Sequence, residues 1–227
     1  AFALWDERQQ TLFLGRDRLG VKPLFYAQLP DGMLLFGSEL KSLLAHGGLK
    51  REIEPRSVED YFALGYVPEP RTIFSSALKL APGHTLLLRR GQPLAAPRRY
   101  WDVQFSGSNP ISDADAQAEL FERLREGVRL RMISEVPLGA FLSGGVDSSA
   151  VVAMMARHSR GPVNTCSISF DDPKFDETPF ARQVAARYGT NHFVERVETD
   201  DFDLIDTLAA LYDEPYADSS AIPTYRV

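Results

Sequence analysis

The 227-residue sequence contains one cysteine, Cys166, so no disulfide framework holds this chain together from within. No histidine stands at a spacing that would pair with that thiol, and it reads as a small core residue of a strand. The four histidines, His46, His84, His158 and His192, are scattered without zinc-type spacing, and His84 reads as a turn residue. No apolar run approaches the roughly 18 residues of a membrane helix, and no secretory signal is recognisable. Basic residues are in deficit, 25 Lys and Arg against 31 Asp and Glu for a formal charge of −6, which leaves no electrostatic footprint for nucleic acid. Neither a membrane nor a nucleic acid is expected as partner, and a cytoplasmic location is. The hydrophobic content, 44%, is enough for a packed core. An initiator methionine is missing too: Ala1-Phe2-Ala3-Leu4-Trp5 opens in mid-strand, as a piece cut from a longer chain would.

The most informative stretch runs over residues 136–158. An apolar run at 136–142 reads as a strand, Gly144 and Gly145 break it, and 148–158 has the filling of a buried helix. A loop at the carboxyl end of a strand, leading into a helix, can cradle a phosphate with backbone N–H groups, the positive end of the helix and the hydroxyls of Ser143, Ser148 and Ser149. Asp147 would repel a bare phosphate, so its presence implies a divalent cation between carboxylate and phosphate oxygens, hence a nucleotide with magnesium. The lysine of the G-x-x-x-x-G-K-S/T loop is absent, which excludes the kinase-type cradle. Beyond it, 163–170 alternates as a strand, 178–188 forms a helix with Phe180, Ala181, Val184, Ala185 and Tyr188 inward and Gly189 as its stop, 192–197 is a strand and 201–211 a helix. Such alternation predicts an α/β fold with a parallel sheet that binds ligands beyond the carboxyl ends of its strands. Leu142 with the loop occupies one such end; Ile168, Ser169 and Phe170, followed by Glu177, occupy the next, where an adenosine would lie.

The first half of the chain predicts antiparallel sheet instead: a strand at 11–16 and a hairpin of 24–29 with 33–37 across Pro30-Asp31-Gly32. Ser38 is expected to cap a short helix bearing Leu40, Leu43 and Leu44, followed by a helix at 57–64 and a strand at 85–89. Residues 105–111 read as a linker, which divides the chain into domains at 1–104 and 112–227. The second domain opens on a helix capped by Ser112 toward Asp115, with Leu120, Phe121, Leu124 and Val128 as its apolar stripe.

The string Ser143-Gly144-Gly145-Val146-Asp147-Ser148 resembles the pyrophosphate loop of the N-type ATP pyrophosphatases. Gly15-Arg16-Asp17-Arg18-Leu19-Gly20-Val21-Lys22-Pro23-Leu24-Phe25-Tyr26, with Phe36-Gly37-Ser38-Glu39-Leu40-Lys41-Ser42-Leu43, resembles the back half of a class II glutamine amidotransferase domain. Together with Tyr212-Asp213-Glu214-Pro215-Tyr216-Ala217-Asp218, these strings resemble the glutamine-hydrolysing asparagine synthetases over nearly the whole chain. The resemblance implies an α/β protein in which part of an αββα class II glutaminase sandwich precedes a parallel-sheet, adenine nucleotide α-hydrolase-like ATP pyrophosphatase domain. It implies glutamine, aspartate and ATP as substrates, Mg2+ as cofactor and a β-aspartyl-adenylate that ammonia converts to asparagine, and it leaves a homodimer open. It assigns nucleotide contacts to Leu142, Ser143, Gly144, Gly145, Val146, Asp147, Ser148, Ser149, Ile168, Ser169, Phe170 and Glu177, and the metal to Asp147. Catalytic roles are expected of Asp147, Glu214 and Asp218: from their place after the last helix, the latter two are expected to orient the incoming ammonia, to accept its proton or to hold magnesium through water, with Glu214, beside Pro215, the better candidate for general base. Class II glutaminases take a cysteine nucleophile from their first residue; Ala1 cannot serve, so this stretch by itself is expected not to hydrolyse glutamine. Relatives that close a β-lactam or a lasso peptide or amidate a cell-surface polymer precursor share the loop, and a non-catalytic nucleotide-binding module is the remaining alternative.

Overall fold

The computed structural model describes residues 1–105, 111–197 and 204–226. The chain divides into two compact units, Ala1–Phe105 with Asp206–Asp218, and Ser106–Ile205 with Ser219–Val227. Most of the expected linker, residues 106–110, lies outside the described residues, as do residues 201–203 of the last expected helix.

The first unit contains β1 (Phe2–Asp6), β2 (Thr11–Gly15), β3 (Phe25–Gln28), β4 (Leu34–Gly37), α1 (Leu40–Leu44), α2 (Pro55–Leu64), β5 (Leu78–Lys79), β6 (His84–Arg89) and β7 (Arg98–Arg99). They build two antiparallel sheets, ordered β1-β2-β6-β7 and β4-β3-β5. The hairpin turns where expected: Gly32 takes φ +87, and the Asp31 carboxylate accepts the Met33 N–H at 3.0 Å. Alternation along β3 then separates two cores. Tyr26 packs with Leu14 of β2, Leu86 of β6 and Leu80; Phe25 and Ala27, on the opposite face, pack with Leu40 and Leu43 of α1, and Val58 and Tyr61 of α2 join them. Sheet on sheet with helices over one face is part of the αββα arrangement.

Arg16, expected at the end of a strand, is 5% exposed and folds the loop that follows β2 around itself. Its guanidinium donates to the carbonyls of Lys22 (3.0 Å), Leu80 (2.7 Å) and Gly20 (3.0 Å) and to the Glu69 carboxylate (3.2 Å). The neighbouring Asp17 carboxylate accepts the N–H groups of Lys22 and Val21, chiefly the former, and these hold its carboxyl below the ordinary range.

One expectation for this unit is corrected. Ser38 does not cap α1; Glu39 stands at the N-cap with no side-chain bond, and Asp213, far along the chain, accepts the N–H groups of Leu40 (2.6 Å) and Lys41 (3.3 Å). Lys41 in turn donates to the Leu211 carbonyl at 2.6 Å, closing the carboxyl end of α6 (Ile205–Leu211). The segment Asp206–Asp218 thus packs as part of this unit.

The second unit comprises α3 (Asp113–Arg131), β8 (Gly139–Phe141), α4 (Val146–His158), β9 (Asn164–Phe170), α5 (Thr178–Tyr188), β10 (Asn191–Val197) and α7 (Ala221–Arg226). Its sheet is parallel, in the order β10-β9-β8. Ser112 caps α3, accepting the Asp115 N–H at 3.2 Å, and Gly189 ends α5 in the left-handed region at φ +62. Two expected stripes are narrower than read. On α3, Leu124, Val128 and Met132 pack against Met154, Met155 and Val163, while Leu120 is 68% exposed and Phe121 lies at the margin under Arg157. On α5, Ala181, Val184 and Ala185 pack against Leu142 and Val152, and Phe180 is 61% exposed. In both helices the contact follows the i, i+4 row; Phe121 and Phe180 stand one step aside from it, and Leu120, though on the row of α3, lies a turn before the packed part. Among the described residues no helix is long and apolar enough to cross a membrane.

At the amino end of this sheet a buried polar cluster has a measurable consequence. The Thr165 hydroxyl meets His192 Nδ1 at 3.0 Å and the Thr190 hydroxyl at 2.8 Å, while His192 Nε2 is buried with no partner. Burial, and then the charge of Arg182, push the His192 imidazole below its ordinary value of 6.5. The folded chain therefore holds it neutral where the unfolded chain would protonate it. The stability this contributes is fully present above pH 6.5 and is lost as pH falls below it. In denaturant melts between pH 8 and 5.5, the native chain should lose stability more steeply than His192→Gln; parallel profiles would refute the assignment.

Candidate active site

The residues between β8 and α4 form a loop that is ordered by its own side chains. The Ser143 and Ser148 hydroxyls lie 2.9 Å apart, Ser148 Oγ accepts the Ser143 N–H at 3.3 Å, and Ser143 Oγ accepts the Gly145 N–H at 3.2 Å. Gly144 takes φ +84, and a Cβ there would lie 2.5 Å from the Ala181 nitrogen and 2.6 Å from Phe180 Cβ, so α5 approaches the loop as closely as a residue without a side chain permits. Gly145 is the N-cap of α4 and has no side chain to satisfy the first N–H groups of that helix, which leaves its positive end facing the loop. Ser149 Oγ is buried without a hydrogen-bond partner among the described residues. Asp147 lies exposed in the first turn of α4, and among the described residues no side-chain partner meets its carboxylate.

Beside the loop lies a cavity of about 480 Å³, within the size range of ligand clefts. Phe141, Leu142 and Ser143 bring the carboxyl end of β8 to it, and Cys166, Ser167, Ile168 and Phe170 bring that of β9. Phe175, Glu177 and Thr178 close one side, and Ser219, Ser220, Pro223 and Thr224 another. Leu142 is fixed in place by its N–H to the Cys166 carbonyl (2.8 Å), while its own carbonyl accepts the Ser167 hydroxyl.

Several expected residues therefore gather at one end of one sheet: Leu142, Ser143, Ile168, Phe170 and Glu177 line the cavity, and residues 144–149 run on from it into α4. Ser169 does not line it; its hydroxyl donates to the Glu195 carbonyl. Cys166 is half-buried in β9 and touches the cavity. Glu214 and Asp218 belong to the first unit. Glu214, read from the sequence as a general base, is engaged on both oxygens: Oε2 with the Lys79 ammonium at 2.5 Å and Oε1 with the Ile73 N–H at 2.7 Å. The Asp218 carboxylate accepts the Tyr216 hydroxyl at 2.9 Å, which raises the phenol's pKa. Thr178, Ser219, Ser220 and Thr224 also line the cavity, and their hydroxyls give a weaker signal in the sequence than the acids that stand near them. Among the described residues no group of three or more His, Cys, Asp or Glu side chains is placed to hold a metal ion.

A glycine loop at the carboxyl end of a parallel strand, in a chain whose other unit lays sheet on sheet, fits the arrangement of a class II glutaminase layer followed by an ATP pyrophosphatase-type α/β unit. Residues 1–101 match the family model of the glutamine amidotransferase domain and residues 119–227 that of asparagine synthase. A Methanocaldococcus jannaschii protein provisionally named asparagine synthetase (glutamine-hydrolyzing) 2 is 38% identical over all of this chain and 44% of its own length. Asparagine synthetase (glutamine-hydrolyzing) 3 of Bacillus subtilis is 36% identical over 85% of this chain and 33% of its own. Amidase chyE of Penicillium rubens is 33% identical over 87% of this chain and 31% of its own. The chain belongs to the glutamine-hydrolysing asparagine synthetase family, and it spans less than half the length of these relatives.

Proposed function

We propose that this chain forms part of an enzyme that makes an amide at the expense of ATP, with glutamine as nitrogen donor and aspartate as acceptor. The observation that carries the reading is the preorganised loop of residues 143–149 beside a cavity at the carboxyl ends of β8 and β9. Ser143, Gly144, Gly145, Val146, Ser148 and Ser149 take the phosphates; the unpartnered Ser149 hydroxyl is a donor in search of an acceptor. Leu142 and Ile168 flank the adenine, with Phe170 and Glu177 on the adenosine side.

The aspartate β-carboxylate attacks the α-phosphorus, and pyrophosphate leaves with the electron pair of the α–β bridge. Ammonia released from glutamine then attacks the acyl carbon of the β-aspartyl-adenylate, AMP leaves, and the ammonia gives up its proton. Such chemistry needs charge neutralisation and in-line placement more than a protein nucleophile. Asp147 fits magnesium, which keeps most of its waters and takes one or two protein carboxylates together with phosphate oxygens. That ion would neutralise the charge that builds on the leaving pyrophosphate.

The amidase name of the Penicillium relative gives the acceptor a second reading, an amidotransferase of another substrate. Pyrophosphate release by the full-length protein, screened with aspartate and with other carboxylic acids, separates the two. If aspartate fails while another acid supports turnover, the acceptor is not aspartate. In the same assay Asp147→Asn should lower turnover by about 30-fold or more, the scale of about 2 kcal/mol for a charge-assisted contact in a preorganised site. A variant that turned over at the native rate would remove Asp147 from the metal site.

A further inference from the structure

We propose that Glu177 reads the ribose of the nucleotide, an inference that rests on the nucleotide reading of the cavity given above. Among the described residues that line the cavity Glu177 is the one that is charged; the rest are apolar side chains, hydroxyls and Cys166. Its position at the start of α5 would by itself explain an acid, because acids there satisfy open N–H groups. Here that task belongs to Asp176, whose carboxylate accepts both the N–H (3.1 Å) and the hydroxyl (3.0 Å) of Thr178. The Glu177 side chain makes no cap bond, and only its backbone carbonyl is used, accepting the N–H groups of Phe180 (3.1 Å) and Ala181 (3.2 Å). Among the described residues folding thus supplies this carboxylate with no partner, and it belongs to an exposed residue that lines the cavity.

An unpaired carboxylate cannot favour a polyphosphate, so it must face a donor-rich part of the ligand. Its place in the fold selects which part. One turn further on, Phe180 and Ala181 back Gly144 in the phosphate loop, while on the other side the cavity is walled by Ile168 and Phe170 at the end of β9. Between a phosphate subsite and a base subsite lies the sugar, whose vicinal hydroxyls can donate two hydrogen bonds to one carboxylate. Acidic residues serve ribose in this manner in other nucleotide-binding sheets. A site built to accept from two hydroxyls also discriminates against a nucleotide that lacks one, since the carboxylate then stays unpaired.

The test is equilibrium binding of MgATP, 2′-deoxy-ATP and 3′-deoxy-ATP to full-length protein, native, Glu177→Gln and Glu177→Ala, with thermal unfolding as the fold control. The native protein should prefer ATP to each deoxynucleotide by about 10-fold or more, the scale of a hydrogen bond to a charged group. In Glu177→Ala that preference should collapse, with ATP weakened and the deoxynucleotides unchanged or slightly tighter. Glu177→Gln, which keeps the side-chain shape, should show an intermediate preference. Equal weakening of all three nucleotides, or a preference that survives in both variants, would overturn the proposal. Loss of aspartate binding alone would instead assign the carboxylate to the acceptor's ammonium and overturn it as well. If the native protein bound none of the three, the nucleotide reading itself would fall, and this inference with it.

Discussion

Full-length Gly144→Ala should lose affinity for MgATP by at least about 30-fold, whereas Gly145→Ala, one residue on, should lose only a few-fold. Both add a single methyl group to the same loop, and their environments differ in two respects. Gly144 sits at φ +84, where an L side chain costs roughly 1–2 kcal/mol, and its Cβ would meet the Ala181 nitrogen at 2.5 Å and Phe180 Cβ at 2.6 Å. Neither neighbour is the free end of a flexible chain, so the loop or the start of α5 must move, at a further cost of about 1–3 kcal/mol. Gly145 sits at φ −66, and among the described residues its Cβ would meet only Ser143 Oγ, at 3.2 Å, which has to give way by no more than a few tenths of an ångström. Because the displaced atoms are those proposed to hold the phosphates, the cost appears in binding as well as in folding. Titration with a fluorescent ATP analogue, with circular dichroism to establish the fold, measures it. Native affinity in Gly144→Ala would mean that the loop does not hold the phosphates.

The contrast between these glycines also shows what the sequence can disclose. Two successive glycines after an apolar run announce a turn, and the string of hydroxyls around them announces an anion site, because both signals are local. Helix α5 and its stop at Gly189 are legible for the same reason. That Gly144, and not Gly145, carries the close approach depends on α5 arriving from 36 positions later, which no local pattern encodes. The cap of α1 is a stronger case: Ser38 has the right chemistry in the right place, yet Asp213 takes the N–H groups of Leu40 and Lys41 from a distant segment. Nor does the sequence around Arg16 disclose its partners, since Glu69 and the carbonyl of Leu80 are brought to it from 53 and 64 positions away. Acids near the end of the chain were readable as acids. Which of them meets a buried cation was not.

That last distinction makes Glu214 the decisive residue of its segment. The Lys79–Glu214 pair has both side chains 12% exposed, and each partner is satisfied further, Lys79 by the Val67 carbonyl (2.6 Å) and Glu214 by the Ile73 N–H. Removing one charge strands the other in a poorly solvated place, which typically costs about 3–5 kcal/mol. Glu214→Gln in the full-length protein should therefore melt at a clearly lower temperature, with its loss of amide formation tracking its loss of folded protein. Lys79→Met should do the same. The double variant Lys79→Met/Glu214→Gln buries no unpaired charge and should recover most of the stability, so the two single changes will be strongly non-additive in a thermodynamic cycle. A general base behaves in the opposite way. Under that role Glu214→Gln would melt like the native protein while amide formation fell by roughly 100-fold or more, and Lys79→Met would not rescue it.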